Sequence, residues 1–161
     1  MVTRTGIDTT TTTGGAPIVG ADQTRSDGPG PEVMDAKTLI GDSIVNAAGE
    51  DLGDLKAIML DVTTGRIAYA VLSFGGFLGV GNKLFAIPWS ALTLDAAEKR
   101  FILDIAKDRL EIAPGFDKDH WPSMADRTWA NEIHAYYDVK PYWDDNLDTR
   151  TSAGSERPKV F

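Results

Sequence analysis

Between residues 43 and 103 apolar side chains recur at every second position, and short clusters of Gly, Asp, Asn and Thr interrupt them at intervals of about ten residues. A period of two is that of a strand with one face in a core. It predicts strands over 43–46, 52–62, 66–74, 83–87, 92–94 and 100–103, with turns at 47–51, 63–65 and 95–99. Turns this short join neighbouring strands antiparallel, so the expected architecture is mainly β: a small antiparallel meander curled into a β-barrel. Strand 66–74 is unusual. Ile67, Tyr69 and Val71 point one way and Ala68, Ala70, Leu72 and Phe74 the other, so neither face suits water. One face lines the barrel and the other needs a cover.

The period changes from two to about 3.6 over 121–137, WPSMADRTWANEIHAYY. Ala125, Trp129, Ile133 and Tyr136/Tyr137 fall on one side of a helix and Asp126, Arg127, Asn131 and Glu132 on the rest, which makes this helix the expected cover. Two start signals compete: Pro122 as first helical residue, or Ser123 as N-cap with Asp126 completing a capping box. The helix is expected to end near Asp138, ahead of Pro141. Residues 1–33 are rich in Thr, Gly, Pro and Asp, and 144–161 hold only Leu147, Val160 and Phe161 as sizeable apolar groups; both are expected to be disordered tails. That leaves 34–113 as the barrel domain and 114–143 as a helical extension packed on it or on a partner.

Particular residues narrow the fold further. The stretch 73–92, SFGGFLGVGNKLFAIPWSAL, runs a glycine-rich loop into a strand closed by Ile87-Pro88-Trp89. It follows Ile40-Gly41, Val45, Leu52-Gly53-Asp54 and Leu60-Asp61-Val62-Thr63-Thr64-Gly65-Arg66. This combination over residues 34–113 resembles the PRC-barrel family, small β-barrels found in the cytoplasmic part of the photosynthetic reaction-centre H subunit, in a ribosome-maturation factor and as stand-alone proteins. The run Pro114-Gly115-Phe116-Asp117 through His120-Trp121-Pro122 to Tyr136-Tyr137 resembles an extension that follows the barrel in stand-alone members. The resemblance implies a docking surface and supplies no catalytic residues.

Charge removes several function classes. The net charge is −8, and zones 1–33, 34–113, 114–143 and 144–161 each carry part of it, at −2, −3, −2 and −1. Nucleic-acid binding releases phosphate counterions with clustered Lys and Arg, so neither nucleic acid nor an anionic membrane surface is an expected partner. Cysteine is absent, which excludes disulfides and thiolate chemistry. The N-terminus lacks the apolar core of a secretory signal, and no apolar run is long enough to span a membrane, so a cytoplasmic location without membrane insertion is expected.

Candidate chemistry is sparse. Gly75 to Gly81 is not a phosphate loop, because Gly81-Asn82-Lys83 lacks the Gly-Lys-Ser/Thr ending and a strand follows in place of a helix. Asp117, Asp119 and His120, with His134 more distant, are possible metal ligands but equally a charged lead-in to a helix. No Ser sits in a nucleophile elbow. The expectation is therefore no enzyme, no cofactor and no metal. The expected function is a non-enzymatic protein–protein interaction or assembly module, with a proton- or small-molecule-responsive sensor at the barrel mouth and an RNA-associated assembly factor as alternatives. The expected interaction surface comprises Tyr69, Phe74, Phe77, Leu78, Trp121, Trp129, Tyr136 and Tyr137, with Trp89 plugging the barrel. One helix covers one face of two or three strands, so the apolar surplus around Tyr69, Phe74, Phe77 and Leu78 points to a homodimer.

Overall fold

A computed structural model describes residues 14–21, 32–75 and 83–144. The alternating segments form strands β2 (Ser43–Val45), β3 (Asp51–Asp61), β4 (Arg66–Phe74), β5 (Lys83–Pro88), β6 (Leu92–Asp95) and β7 (Arg100–Leu103). A further strand, β1 (Ile18–Val19), precedes them, and helices α1 (Ala36–Leu39), α2 (Lys107–Glu111) and α3 (Arg127–Tyr136) complete the described elements with two 3₁₀ turns, Trp89–Ala91 and Tyr142–Asp144.

The turns form where side chains can take over backbone hydrogen bonds. Asn46 Oδ1 accepts from the backbone N–H groups of Ala48 and Glu50 (3.1 and 2.9 Å) and closes the β2–β3 turn. Asp61 Oδ1 accepts from the N–H groups of Thr63 and Thr64 and from the Thr63 hydroxyl (3.1, 3.3 and 2.7 Å). Gly65 then takes φ 76° and lets the chain reverse into β4.

The strands make one seven-stranded sheet in the order β1-β6-β7-β2-β3-β4-β5. It is mixed, which corrects the antiparallel expectation: β2 pairs with β7 in parallel, and so does β1 with β6. The cause lies at Pro88. Between β5 and β6 the chain bends through the turn Trp89–Ala91 without reversing, so β6 keeps the direction of β5 and β7 comes to run alongside β2 in the same sense.

That same connection shows how the sheet curves. Five inter-strand steps separate β5 from β6 in the strand order, which in a flat sheet is roughly 24 Å at ~4.8 Å per step. Pro88 to Leu92 spans at most about 14 Å of chain, so the sheet must coil until its two ends approach. Among the described residues no strand pairing joins β5 to β6, and the closed barrel expected from the sequence is instead an open, coiled sheet. At the β5 edge, Leu84 and Phe116 exchange two backbone hydrogen bonds of 2.8 Å, and Pro88 offers no N–H.

β1 lies within 1–33, the stretch expected to be a disordered leader. The N–H groups of Leu94 and Ala96 donate to the carbonyls of Pro17 and Val19 at 2.8 and 2.9 Å, and this ladder adds an edge strand. Two residues offered no periodicity to read. The tail 144–161 lies outside the described residues except for Asp144.

Inside the coil the core is continuous. Ile44, Leu55, Leu72, Phe85, Ile87, Leu92, Phe101 and Leu110 are all essentially inaccessible. Trp89, expected as a plug, is half-buried with its ring 5.6 Å from that of Phe101. Gly53 in β3 has φ 135°, and a Cβ there would lie 2.2 Å from the Ser73 carbonyl oxygen of β4. Both the left-handed backbone and the strand contact demand glycine. Gly53→Ala should therefore destabilise the fold by about 2 kcal/mol or more, seen as a lowered denaturant midpoint with an unchanged slope.

Candidate functional site

β4 has to bury both faces, and the outer one is where sequence-predicted site residues converge. β4 and β3 are out of step there: Met59 opposes Tyr69 and Leu60 opposes Ile67, leaving Ala68 as the extra residue of a bulge. Ala68 consequently joins Tyr69, not the barrel face assigned to it by alternation. Ala68 and Tyr69 of β4, Ala86 of β5, and Ala130 and Ile133 of α3 make a second apolar cluster, flanked by Met59, Trp129, Tyr142 and Trp143.

α3 begins later than either start signal suggested. Asp126 is the N-cap, its carboxylate accepting from the N–H groups of Thr128 and Trp129 at 2.8 and 3.4 Å. A carboxylate at this position satisfies the orphan donors and favours the positive end of the helix dipole, an advantage that neither Pro122 nor Ser123 has. Ala125 is outside the helix and exposed. At the other end Tyr137 caps the helix and Asp138 turns the chain with φ 55°, the end point expected. The buried face is Ala130, Ile133 and His134.

His134 carries a role that its sequence context does not indicate. Named only as a distant fourth candidate for a metal site that was not expected, it is 1% exposed inside the second cluster. Its ring lies 5.5 Å from that of Tyr69, 6.1 Å from Tyr142 and 5.2 Å from Trp143. Nδ1 is 2.7 Å from the Ala130 carbonyl oxygen. A carbonyl only accepts, so Nδ1 carries the proton and Nε2 is a bare lone pair. Neither Nε2 nor the Tyr69 hydroxyl has a hydrogen-bond partner within the described residues. Burial pushes the imidazole below its ordinary value, while the bond to Ala130 and the Asp144 carboxylate pull it partway back. Burial likewise pushes the Tyr69 hydroxyl well above the normal tyrosine range.

Polar contacts fasten this region to the β3–β4 hairpin. The Tyr142 hydroxyl donates to Asp61 Oδ2 at 2.8 Å, Arg66 Nη1 donates to the Tyr142 carbonyl at 2.7 Å, and the Arg127 guanidinium lies 3.9 Å from the Trp143 ring centroid. The hydroxyls of Thr63 and Tyr142, with the backbone N–H groups of the turn, hold the Asp61 carboxyl down to about 2. Burial, reinforced by Asp61, pushes the Tyr142 hydroxyl up to about 12. At the opposite end of α3, Arg109 Nη2 donates to the Tyr136 carbonyl at 3.1 Å and the Tyr136 hydroxyl donates back to the Arg109 carbonyl. A cleft of about 360 Å³ lies alongside, with Ser90, Asp104, Arg109 and Asp138 on its walls.

The expected interaction residues thus divide. Tyr69 is 1% exposed and cannot meet a partner; Trp129 packs on it edge-to-face at 5.3 Å. Phe74 is half-buried against Phe85, and Tyr136 and Tyr137 are half-buried against the core. Trp121 is 42% exposed, its ring 5.0 Å from that of Phe116. Phe77 and Leu78, with the rest of 76–82, lie outside the described residues. The apolar demand that pointed to a homodimer is therefore met within the chain at Tyr69 and largely at Phe74. Asp117 pairs with His120 Nδ1 at 2.8 and 2.9 Å on the surface, far in role from His134. Among the described residues no three His, Asp or Glu side chains are grouped to hold a metal ion, and no helix is long and apolar enough to cross a membrane.

Among the exposed apolar residues of the described chain, which include Val33, Met34 and Ile112, one pair sits on the β3–β4 hairpin. Leu60 and Val62, at 60% and 89% exposure, flank Asp61 on the hairpin. They were read as strand residues. Leu60 belongs to the last pair but one of the hairpin and Val62 to the turn beyond β3, so both lie past the end of the core.

Residues 31–110 match the family model of the PRC-barrel domain. No curated protein matches the chain.

Two substitutions separate the contributions to the α3 contact. Trp129→Ala should cost about 3 kcal/mol through lost packing on Tyr69. Tyr142→Phe, which removes only the partly exposed bond to Asp61, should cost about 1 kcal/mol. The second loss should also depend on acid: with the Asp61 value depressed in the folded state, its contribution is present above the ordinary carboxylate value of 3.8 and disappears as pH falls toward 2. Denaturant titrations of both variants at neutral and acid pH check the ranking and its sign.

Proposed function

Since residues 31–110 make this chain a member of the PRC-barrel family, we propose that it works as a non-enzymatic interaction or assembly module with a protein partner, a second copy of itself being the first candidate. The observation that carries this reading is the hairpin ridge formed by Leu60 and Val62. An isolated exposed leucine means little, but here two apolar side chains flank a turn pinned by Asp61 and tied back by Tyr142 and Arg66. A ridge already ordered loses little conformational freedom when it docks, which raises the affinity gained from a small contact. The docked face of the partner, a second copy included, would be an apolar recess whose local rim is neutral or basic, since the chain's net charge of −8 disfavours a further acidic contact. A cytoplasmic location belongs to the same proposal.

The cleft beside Arg109 favours a second reading, a sensor for a small polar molecule. Its volume falls at the lower end of ligand sites, and it mixes cationic, anionic and hydroxyl groups. The RNA-associated alternative has only the family resemblance behind it, against a charge map of the wrong sign.

Light scattering over a dilution series, on the native chain and on Leu60→Asp/Val62→Asp, tests the proposal. We expect the native protein to associate and the double variant to remain monomeric at the same concentrations, with a melting temperature close to that of the native monomer. A native protein that stays monomeric throughout would contradict self-association, and an equally dimeric double variant would remove the hairpin from the interface.

A further inference from the structure

We propose that His134 acts as an acid-sensitive latch: neutral, it lets α3 and the turn Tyr142–Asp144 close on the outer face of β4, and its protonation at Nε2 releases residues 127–144 from the sheet. This goes beyond the interaction reading and does not depend on the hairpin.

The geometry starts from a buried nitrogen with nowhere to put a second proton. Nδ1–H is already committed to the Ala130 carbonyl, and Nε2 has no hydrogen-bond partner among the described residues. Protonation would place a full charge and an N–H donor in an aromatic enclosure of Tyr69, Tyr142 and Trp143. Buried ions persist only where opposite charge or hydrogen bonds replace the lost water.

The surrounding groups do not replace it. On β4, burial keeps the Tyr69 hydroxyl protonated, so it supplies no anion. On the 3₁₀ turn, the Tyr142 hydroxyl already donates to Asp61, and that carboxylate is shared with the Thr63 hydroxyl and the turn backbone. Among the described residues Asp144 supplies a favourable charge effect on His134. Arg127 at the start of α3 is already engaged on the Trp143 ring at 3.9 Å and is itself a cation, so it adds no negative charge to the enclosure.

The response should be local. α3 has ten residues, too few to be stable away from the sheet. His134 belongs to the outer cluster, whereas the inner core of Ile44, Leu55, Leu72, Phe85 and Phe101 is sealed within the coiled sheet. Opening would therefore uncover Ala68, Tyr69 and Ala86 and create an apolar face that is hidden at neutral pH. The direction follows from linkage: the folded form disfavours the charged ring, so the latch is closed above the unfolded histidine value of 6.5 and weakens as pH falls below it.

Amide hydrogen exchange on the full chain, expressed as protection factors so that intrinsic pH effects cancel, provides the test. Between about pH 7.5 and about pH 5, protection within 127–144 should fall by about tenfold or more, while amides of β3, β4 and β7 keep theirs. His120→Ala, which alters the exposed histidine, should show the same loss, and His134→Phe, which keeps an aromatic ring without a titrating nitrogen, should not. Equal protection at the two pH values, loss shared by the sheet, or a pH response that survives in His134→Phe would each overturn the proposal. If the phenylalanine variant does not fold, the native chain and His120→Ala still decide: a response confined to 127–144 and indifferent to His120 supports the latch, and any other pattern overturns it.

Discussion

A strand with two dry faces governs this molecule. β4 sends Ala70 and Leu72 into the coiled sheet and Ala68 and Tyr69 out of it, so a single layer cannot bury it. The inner face is covered by the curl of the sheet itself, which the short bend at Pro88–Ala91 enforces. The outer face takes α3, presenting Ala130, Ile133 and His134. Neither partner stands well alone: the helix is short for an isolated helix, and the outer face of β4 without it would expose the Tyr69 ring. The helical extension is thus part of the fold's second core.

Polarity within that second core sets its character. The inner core is hydrocarbon and aromatic, but the outer one contains His134 Nε2 and the Tyr69 hydroxyl, which have no partners among the described residues, and the nearby Tyr137 hydroxyl is in the same condition. Unsatisfied buried atoms cost on the order of 1–3 kcal/mol each. The fasteners around the rim, Tyr142 on Asp61, Arg66 on the Tyr142 carbonyl and Arg109 on Tyr136, offset part of that cost. The result is an inner layer held by packing and an outer layer whose packing carries a polar cost.

Much of the fold was legible because it is written in local patterns. The six strands of 43–103 follow from alternation and turn chemistry, and the third strand's double apolar face announced that a cover was needed. The strand directions were less accessible, since Pro88-Trp89 reads equally as a hairpin or a bend until the three-residue connection is seen to carry β5 onward. β1 was hidden because Ile18 and Val19 make sense only against Leu94 and Asp95. For the site, the aromatic stripe of Trp129 and Ile133 was visible in the spacing, but the role of His134 was not: a histidine on a helix reads as a ligand or a surface group until the ring finds itself between Tyr69 and Trp143. The exposure of Leu60 and Val62 follows from their place at the hairpin end, beyond the reach of the core, which alternation alone does not encode.

The central claim is that α3 and β4 are energetically one unit through the ring contact between Tyr69 and Trp129. A double-mutant cycle with Tyr69→Leu, Trp129→Leu and the pair, followed by denaturant unfolding, measures that directly. The rings are 5.3 Å apart and near perpendicular at 67°, so the account predicts a coupling energy of about 1 kcal/mol. Strict additivity of the two substitutions would contradict it.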